Sequence, residues 1–181
     1  MPLKLPRYLS LVEVKQMFDH AFGRDLVILY ILFYLGLRNN ELRLLRIEDI
    51  DFDNSNVKVV QGKGKKDRYI PIPKPITEIL KLWIADRTTG WLIQGRQSKG
   101  TISNRHIERI VRNIANKSNI RNPGEVHPHT LRHSYATFII NNGGNIEEVK
   151  ELLGHSNISA TQIYTHLAHT KLKETINKVF E

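Results

Sequence analysis

The chain has 181 residues, 40% apolar and 25% charged, with 27 Lys and Arg against 18 Asp and Glu and no cysteine. A chain of this length and apolar content buries a real core as one domain, or as one domain with a short appendage. The formal charge of +9 favours a polyanionic partner, most simply nucleic acid, and the lack of Cys excludes disulfides and thiolate metal sites.

Residues 1–10 read as an extended, basic lead-in carrying Pro2 and Pro6, with no apolar stretch behind it of the kind a secretory leader needs. Ser10-Leu11-Val12-Glu13 has capping-box form and predicts a helix from Leu11 to about Ala21. A second helix is predicted from about Arg24 to Leu35, with Gly36 placed to end it. The apolar run over 26–37 is too short to span a bilayer, which takes ~20 residues, so it reads as a buried helix. Leu42, Leu45 and Ile47 continue as a short helix. Arg38 follows directly on a buried helix end, where a charge is either paired or used. Glu41, three residues on, is its partner if the role is structural.

Asn56–Val60 and Arg68–Ile72 read as the two strands of a hairpin. Gln61-Gly62-Lys63-Gly64-Lys65-Lys66-Asp67 joins them, and its three lysines either solubilise a turn or reach a phosphate. Two strands are too few for a sheet-built domain. Pro75 is suited to the first position of a helix containing Ile79, Leu82 and Trp83. Trp91-Leu92-Ile93 is a short apolar segment of either type. From Ser103 to about Lys117, Ile107, Ile110, Val111 and Ile114 form a helical stripe, and Arg105, Arg109 and Arg112 form either its wet face or contacts to a nucleic-acid backbone. Residues 119–126 read as a loop.

The last third carries the chemistry. Pro128 opens a helix whose apolar stripe is Leu131, Tyr135, Phe138 and Ile139, and Asn142-Gly143-Gly144 ends it. His129 and Arg132 share a face at its start, off that stripe. Helix-terminal N–H groups favour an anion there, so the pair reads as a phosphate seat or as a solvated cap with a surface Arg. Asn145 with Glu148 starts another helix, with Val149, Leu152 and Leu153 as its apolar face. Gly154 ends it and puts His155 at the exit. Residues 159–165 form a short helix carrying Tyr164, and Leu172, Ile176, Val179 and Phe180 line an amphipathic tail helix.

Taken in order, Gly36-Leu37-Arg38 with Glu41-Leu42, Gly62-Lys63-Gly64, His129-Thr130-Leu131-Arg132-His133, Leu153-Gly154-His155 and Tyr164 resemble the catalytic domain of the tyrosine recombinase (phage-type integrase) family, Xer-type members in particular. The resemblance implies a mainly α fold with a small antiparallel β-sheet (α+β). It implies Arg38, Lys63, His129, Arg132 and His155 as the active-site set and Tyr164 as nucleophile, with Lys65 and Lys66 as rivals to Lys63. It divides the chain into a linker-like lead-in (1–10), a catalytic domain (11–168) and a tail helix (169–181) that packs in cis or on a neighbouring protomer. Family members usually carry a further N-terminal DNA-clamping domain; ahead of the catalytic domain this sequence shows the linker-like residues 1–10, as expected of an excised fragment or of a naturally short protein. The implied setting is cytoplasmic, on nucleoid or mobile-element DNA. The implied partners are double-stranded DNA and further copies of the chain in a tetrameric synapse, with no membrane.

The mechanism so implied follows charge and proton accounting. At pH 7 about one free Tyr in a thousand is phenolate, a cost of about 4 kcal/mol. Two arginines on the phosphate lower that cost and stabilise the transition state. His129 takes the phenol proton, Lys63 protonates the leaving alkoxide, and His155 hydrogen-bonds the phosphate. The 3′-phosphotyrosyl link stores the bond energy, so rejoining needs no ATP, and the arginines stand where a metal would; no cofactor and no metal are expected. A type IB topoisomerase would use the same chemistry without partner protomers. A metal hydrolase built on His127, His129 and His133 lacks an acidic ligand within that cluster and has Arg132 beside its cation. A non-catalytic DNA-binding protein would keep the basic faces without needing Tyr164.

Overall fold

The computed structural model describes residues 7–60, 67–95 and 100–154. The expectations for Lys63, Lys65, Lys66, His155, Tyr164 and the tail helix lie outside the described residues. Among those described, seven α-helices accompany one three-stranded antiparallel sheet. The expected class, mainly α with a small antiparallel sheet, is the class observed.

Helix α1 (Leu11–Asp19) starts on the capping box read from sequence. The Glu13 amide donates to Ser10 Oγ at 3.2 Å, and the Ser10 amide donates to Glu13 Oε2 at 2.9 Å. Helix α2 (Gly23–Tyr34) is the centre of the core: Ile28, Leu29, Ile31 and Leu32 are fully buried, and α1 and α3–α6 all pack on it. Burying each such side chain contributes roughly 2 kcal/mol. Gly36 ends this helix with φ +57°, a left-handed conformation that favours glycine.

Helix α3 (Asn39–Arg43) stops short of the predicted one. Leu45 and Ile47 leave the helix because their backbones bond to residues 90–92: Ile47 N–H to Gly90 O and Leu92 N–H to Leu45 O, each 2.9 Å. The same pairing gives the undecided Trp91 segment an extended role beside Arg46. The predicted hairpin is β2 (Asn56–Val59) and β3 (Arg68–Pro71), with Val57 opposite Ile70 on the core side. A two-residue strand, β1 (Ile50–Asp51), adds to β2; it is too short for sequence alternation to reveal. Helix α4 (Lys74–Ile84) begins one residue earlier than read, so Pro75 is its second residue. Helix α5 (Asn104–Lys117) takes Ser103 as N-cap, with the predicted apolar stripe buried.

Helix α6 (Pro128–Asn141) departs most from its predicted face. Its buried residues include Arg132, Ser134, Ala136 and Thr137, while Phe138 is 39% exposed. The reason is packing on more than one side: α2 covers one flank and α7 (Ile146–Leu153) another. Small and polar side chains fit where two helices approach closely. Ser134 shows the use of such a position, accepting from the Leu9 amide at 2.8 Å and donating to Thr130 O at 2.7 Å.

Candidate active site

The site assembles at the C-terminal end of α7. A helix end leaves its last carbonyls without intrahelical partners and carries the negative end of the helix dipole. Here three consecutive carbonyls each accept from a different arginine. Arg68 Nε donates to Leu152 O at 2.7 Å, Arg132 Nη2 donates to Leu153 O, and Arg38 Nη2 donates to Gly154 O at 2.7 Å. The three arginines come from the start of β3, the first turns of α6 and the N-terminus of α3.

One carboxylate joins them. Glu41 accepts from both terminal nitrogens of Arg68 (2.9 and 2.8 Å), from Arg38 Nη1 (2.8 Å) and from the Arg38 amide (2.8 Å). Its Oε2 also lies 3.6 Å from Arg132 Nη1. Burial alone would raise the Glu41 pKa. The hydrogen bonds from Arg68 and the Arg38 amide, with the charges of Arg68 and Arg132, outweigh it and bring the pKa down to about 2.

Arg132 is 4% exposed, which excludes the alternative of a surface arginine beside a solvated cap. Besides Leu153, its guanidinium reaches Gly36 O at 2.5 Å, the carbonyl presented by the left-handed turn after α2. Tyr135, one turn along α6, packs close against Gly36: a Cβ there would meet its Cδ1 at 2.5 Å. Only glycine serves both the turn and this approach.

His129 stands three residues before Arg132 and is exposed. Partial burial of the ring, then the charges of Arg132 and Arg38, hold its pKa below the usual imidazole value; Glu108 of α5 opposes them. A lowered pKa favours the neutral ring, the form that accepts a proton.

The sequence profile of the phage integrase family matches residues 7–171. The chain belongs to this family. It is similar to a tyrosine recombinase of Pseudothermotoga lettingae, 36% identical over 98% of this chain and 62% of that protein. It is also similar to the tyrosine recombinase XerA of Pyrococcus furiosus, 38% identical over 98% of this chain and 63% of that protein. The integrase-family chain thus spans about three fifths of the length of these relatives. A crystal structure of XerA recombinase superposes with a TM-score of 0.83 at 33% identity, covering 98% of this chain and 65% of that one. The XerH recombinase bound to its difH substrate, before cleavage, matches with a TM-score of 0.76 at 25% identity, covering 94% of this chain and 53% of that one.

Of the residues singled out from this integrase-family sequence, Arg38, His129 and Arg132 come together. Lys63, His155 and Tyr164 lie outside the described residues. The Arg38–Glu41 pair read as a structural option is present, within a larger network. His133 lies edge-on to Tyr8, ring centres 6.3 Å apart. Sequence reasoning passed over Arg68, which is 8% exposed and binds both α3 and α7. The available signal was its strand parity: Arg68 and Ile70 alternate onto the same, inward face, where a charge demands a partner.

Proposed function

We propose that this chain is the catalytic domain of a site-specific DNA recombinase that cleaves and rejoins strands through Tyr164. The observation that carries the reading is the meeting of Arg38 and Arg132 on adjacent carbonyls at the end of α7, with His129 three residues before Arg132 on α6.

In the proposed reaction Arg38 and Arg132 hold the non-bridging oxygens of one phosphodiester. His129 takes the Tyr164 proton as the phenol oxygen attacks phosphorus. The bond to the 5′ oxygen breaks, and Lys63 supplies the proton that makes it a 5′-hydroxyl. His155 donates a hydrogen bond to the phosphate. The strand end is then held as a 3′-phosphotyrosyl link, and attack by a 5′-hydroxyl of a second strand reverses the steps. Charge develops on oxygens that both arginines face; losing one such pre-positioned donor costs about 3–4 kcal/mol of transition-state stabilisation, or 10²–10³ in rate.

Double-stranded DNA is the proposed partner, supported by the +9 charge. Helix α5 supports a path for the duplex. Arg105, Arg109 and Arg112 are exposed along it, and Glu108 on the same helix is close enough to act on His129. Residues 11–168 form the proposed catalytic unit, and 169–181 the tail that docks on another protomer in a tetrameric synapse. Chromosomal or mobile-element DNA is the proposed arena of action. Among the described residues no helix is long and apolar enough to cross a membrane.

A pool of nicked duplexes with randomised arms tests the reading. DNA still attached to protein after denaturation is recovered and sequenced, with and without EDTA. The expected result is an adduct that forms in EDTA and is lost in Tyr164→Phe. An adduct that survives Tyr164→Phe, or that needs a divalent ion, overturns the assignment.

A further inference from the structure

Arg68 is the member of the arginine cluster that touches Glu41 most. Its side chain is 8% exposed, between 5% for Arg132 and 33% for Arg38. Both of its terminal nitrogens go to the two oxygens of Glu41, and its Nε goes to Leu152 O. A fork of this kind is the strongest pairing a carboxylate finds in a protein. Arg38 reaches Glu41 through one side-chain nitrogen, and Arg132 stands 3.6 Å from it.

The cluster therefore has a definite charge balance. Three guanidiniums share one carboxylate, which leaves two net positive charges among these four residues. Without Arg68 the same carboxylate would face only Arg38 and Arg132, and one net charge would remain. Glu41 would then compete with a phosphate for the two arginines that serve it.

We propose that Arg68 is a positioning residue that engages Glu41 bidentately and so keeps the charge of Arg38 and Arg132 directed at the DNA phosphate. It touches no substrate. It acts through Glu41 and through the carbonyl end of α7, which it ties to the strand leaving the lysine-rich hairpin connection. This inference rests on the recombinase reading for its catalytic consequence; its electrostatic core does not.

Four variants of the full chain test it: Arg68→Met, Arg68→Lys, Glu41→Gln and the double variant R68M/E41Q. Amide spectra first establish which are folded. The first readout is the NMR titration of the His129 Cε1 proton without DNA. In wild type burial of the ring, then the charges of Arg132 and Arg38, hold this titration below the ordinary imidazole range. R68M is expected to move it upward, because Glu41 now screens Arg38 and Arg132. The double variant, which restores two net charges, is expected to move it back. The second readout is single-turnover adduct formation at saturating DNA. R68M is expected to fall by about 10- to 100-fold, the upper end being the loss when a donor to the reacting group itself is removed, and R68M/E41Q to recover most of that loss.

If R68M does not fold, R68K and the double variant carry the test, and both are expected to titrate at His129 as wild type does. The proposal is overturned if the folded double variant titrates and reacts no better than R68M, or if R68M matches wild type in both readouts. It is overturned equally if R68K and the double variant, standing alone, show the His129 titration displaced upward. Wild-type protein that forms no adduct while the His129 shifts follow this pattern would refute the recombinase reading instead and leave the charge balance standing.

Discussion

Glu41→Gln provides a direct measure of the force that holds the site together. The Glu41 carboxyl has a folded pKa of about 2 against an ordinary value of 4.5. A depressed folded pKa means that the unfolded chain binds the proton first as pH falls. The stabilisation is therefore fully present above pH 4.5 and disappears progressively toward pH 2. At ~1.36 kcal/mol per pKa unit the full contribution is about 3 kcal/mol, of which about 2 kcal/mol is already lost at pH 3. Other carboxylates titrate in the same window, so the quantity to measure is a difference. Urea unfolding of wild type and Glu41→Gln is compared at pH 7 and pH 3. At pH 7 the variant leaves buried guanidiniums without their counter-charge and is expected to lose about 3–5 kcal/mol. Between pH 7 and pH 3 wild type is expected to lose about 2 kcal/mol more than the variant does. Equal losses in the two proteins would show that Glu41 is not held ionised by the arginines, and the account of the cluster would fail.

Three other outcomes follow from the same geometry. His129 in the free protein is expected to titrate below the ordinary imidazole value, because burial and the charges of Arg132 and Arg38 oppose its protonation; saturating DNA, which brings a phosphate to those arginines, is expected to raise it, and NMR titration reads both. Gly36→Ala puts a methyl 2.5 Å from the Tyr135 ring at a φ of +57° and is expected to cost at least about 2 kcal/mol in urea unfolding, with Tyr135→Ala relieving part of it so that the double variant costs less than the sum. Replacing Arg105, Arg109 or Arg112 by Gln is expected to weaken DNA binding without changing sequence preference and to lower the salt slope by about one for each phosphate that is no longer neutralised; a slope unchanged in all three would place the duplex elsewhere.

The features legible in the sequence were those set by near neighbours. The Ser10–Glu13 box, the stripe of α5, the stop at Gly36 and the hairpin strands arise from periodicity, capping and turn chemistry over a few residues. The motif order from Gly36 to Tyr164 carried the family and the fold class, and it brought Arg38, His129 and Arg132 into one candidate set. Tertiary structure alone decided that Arg132 is enclosed, because α6 is covered by α2 and by α7 and no single stripe describes such a helix. It also decided that Arg68 joins the cluster. Leu152, 84 residues further on, and Glu41, 27 residues back, become its partners only when folding brings α7 and α3 to β3. The end of a helix advertises unpaired carbonyls whatever its sequence, but which cations answer them depends on chain segments that only folding brings within reach.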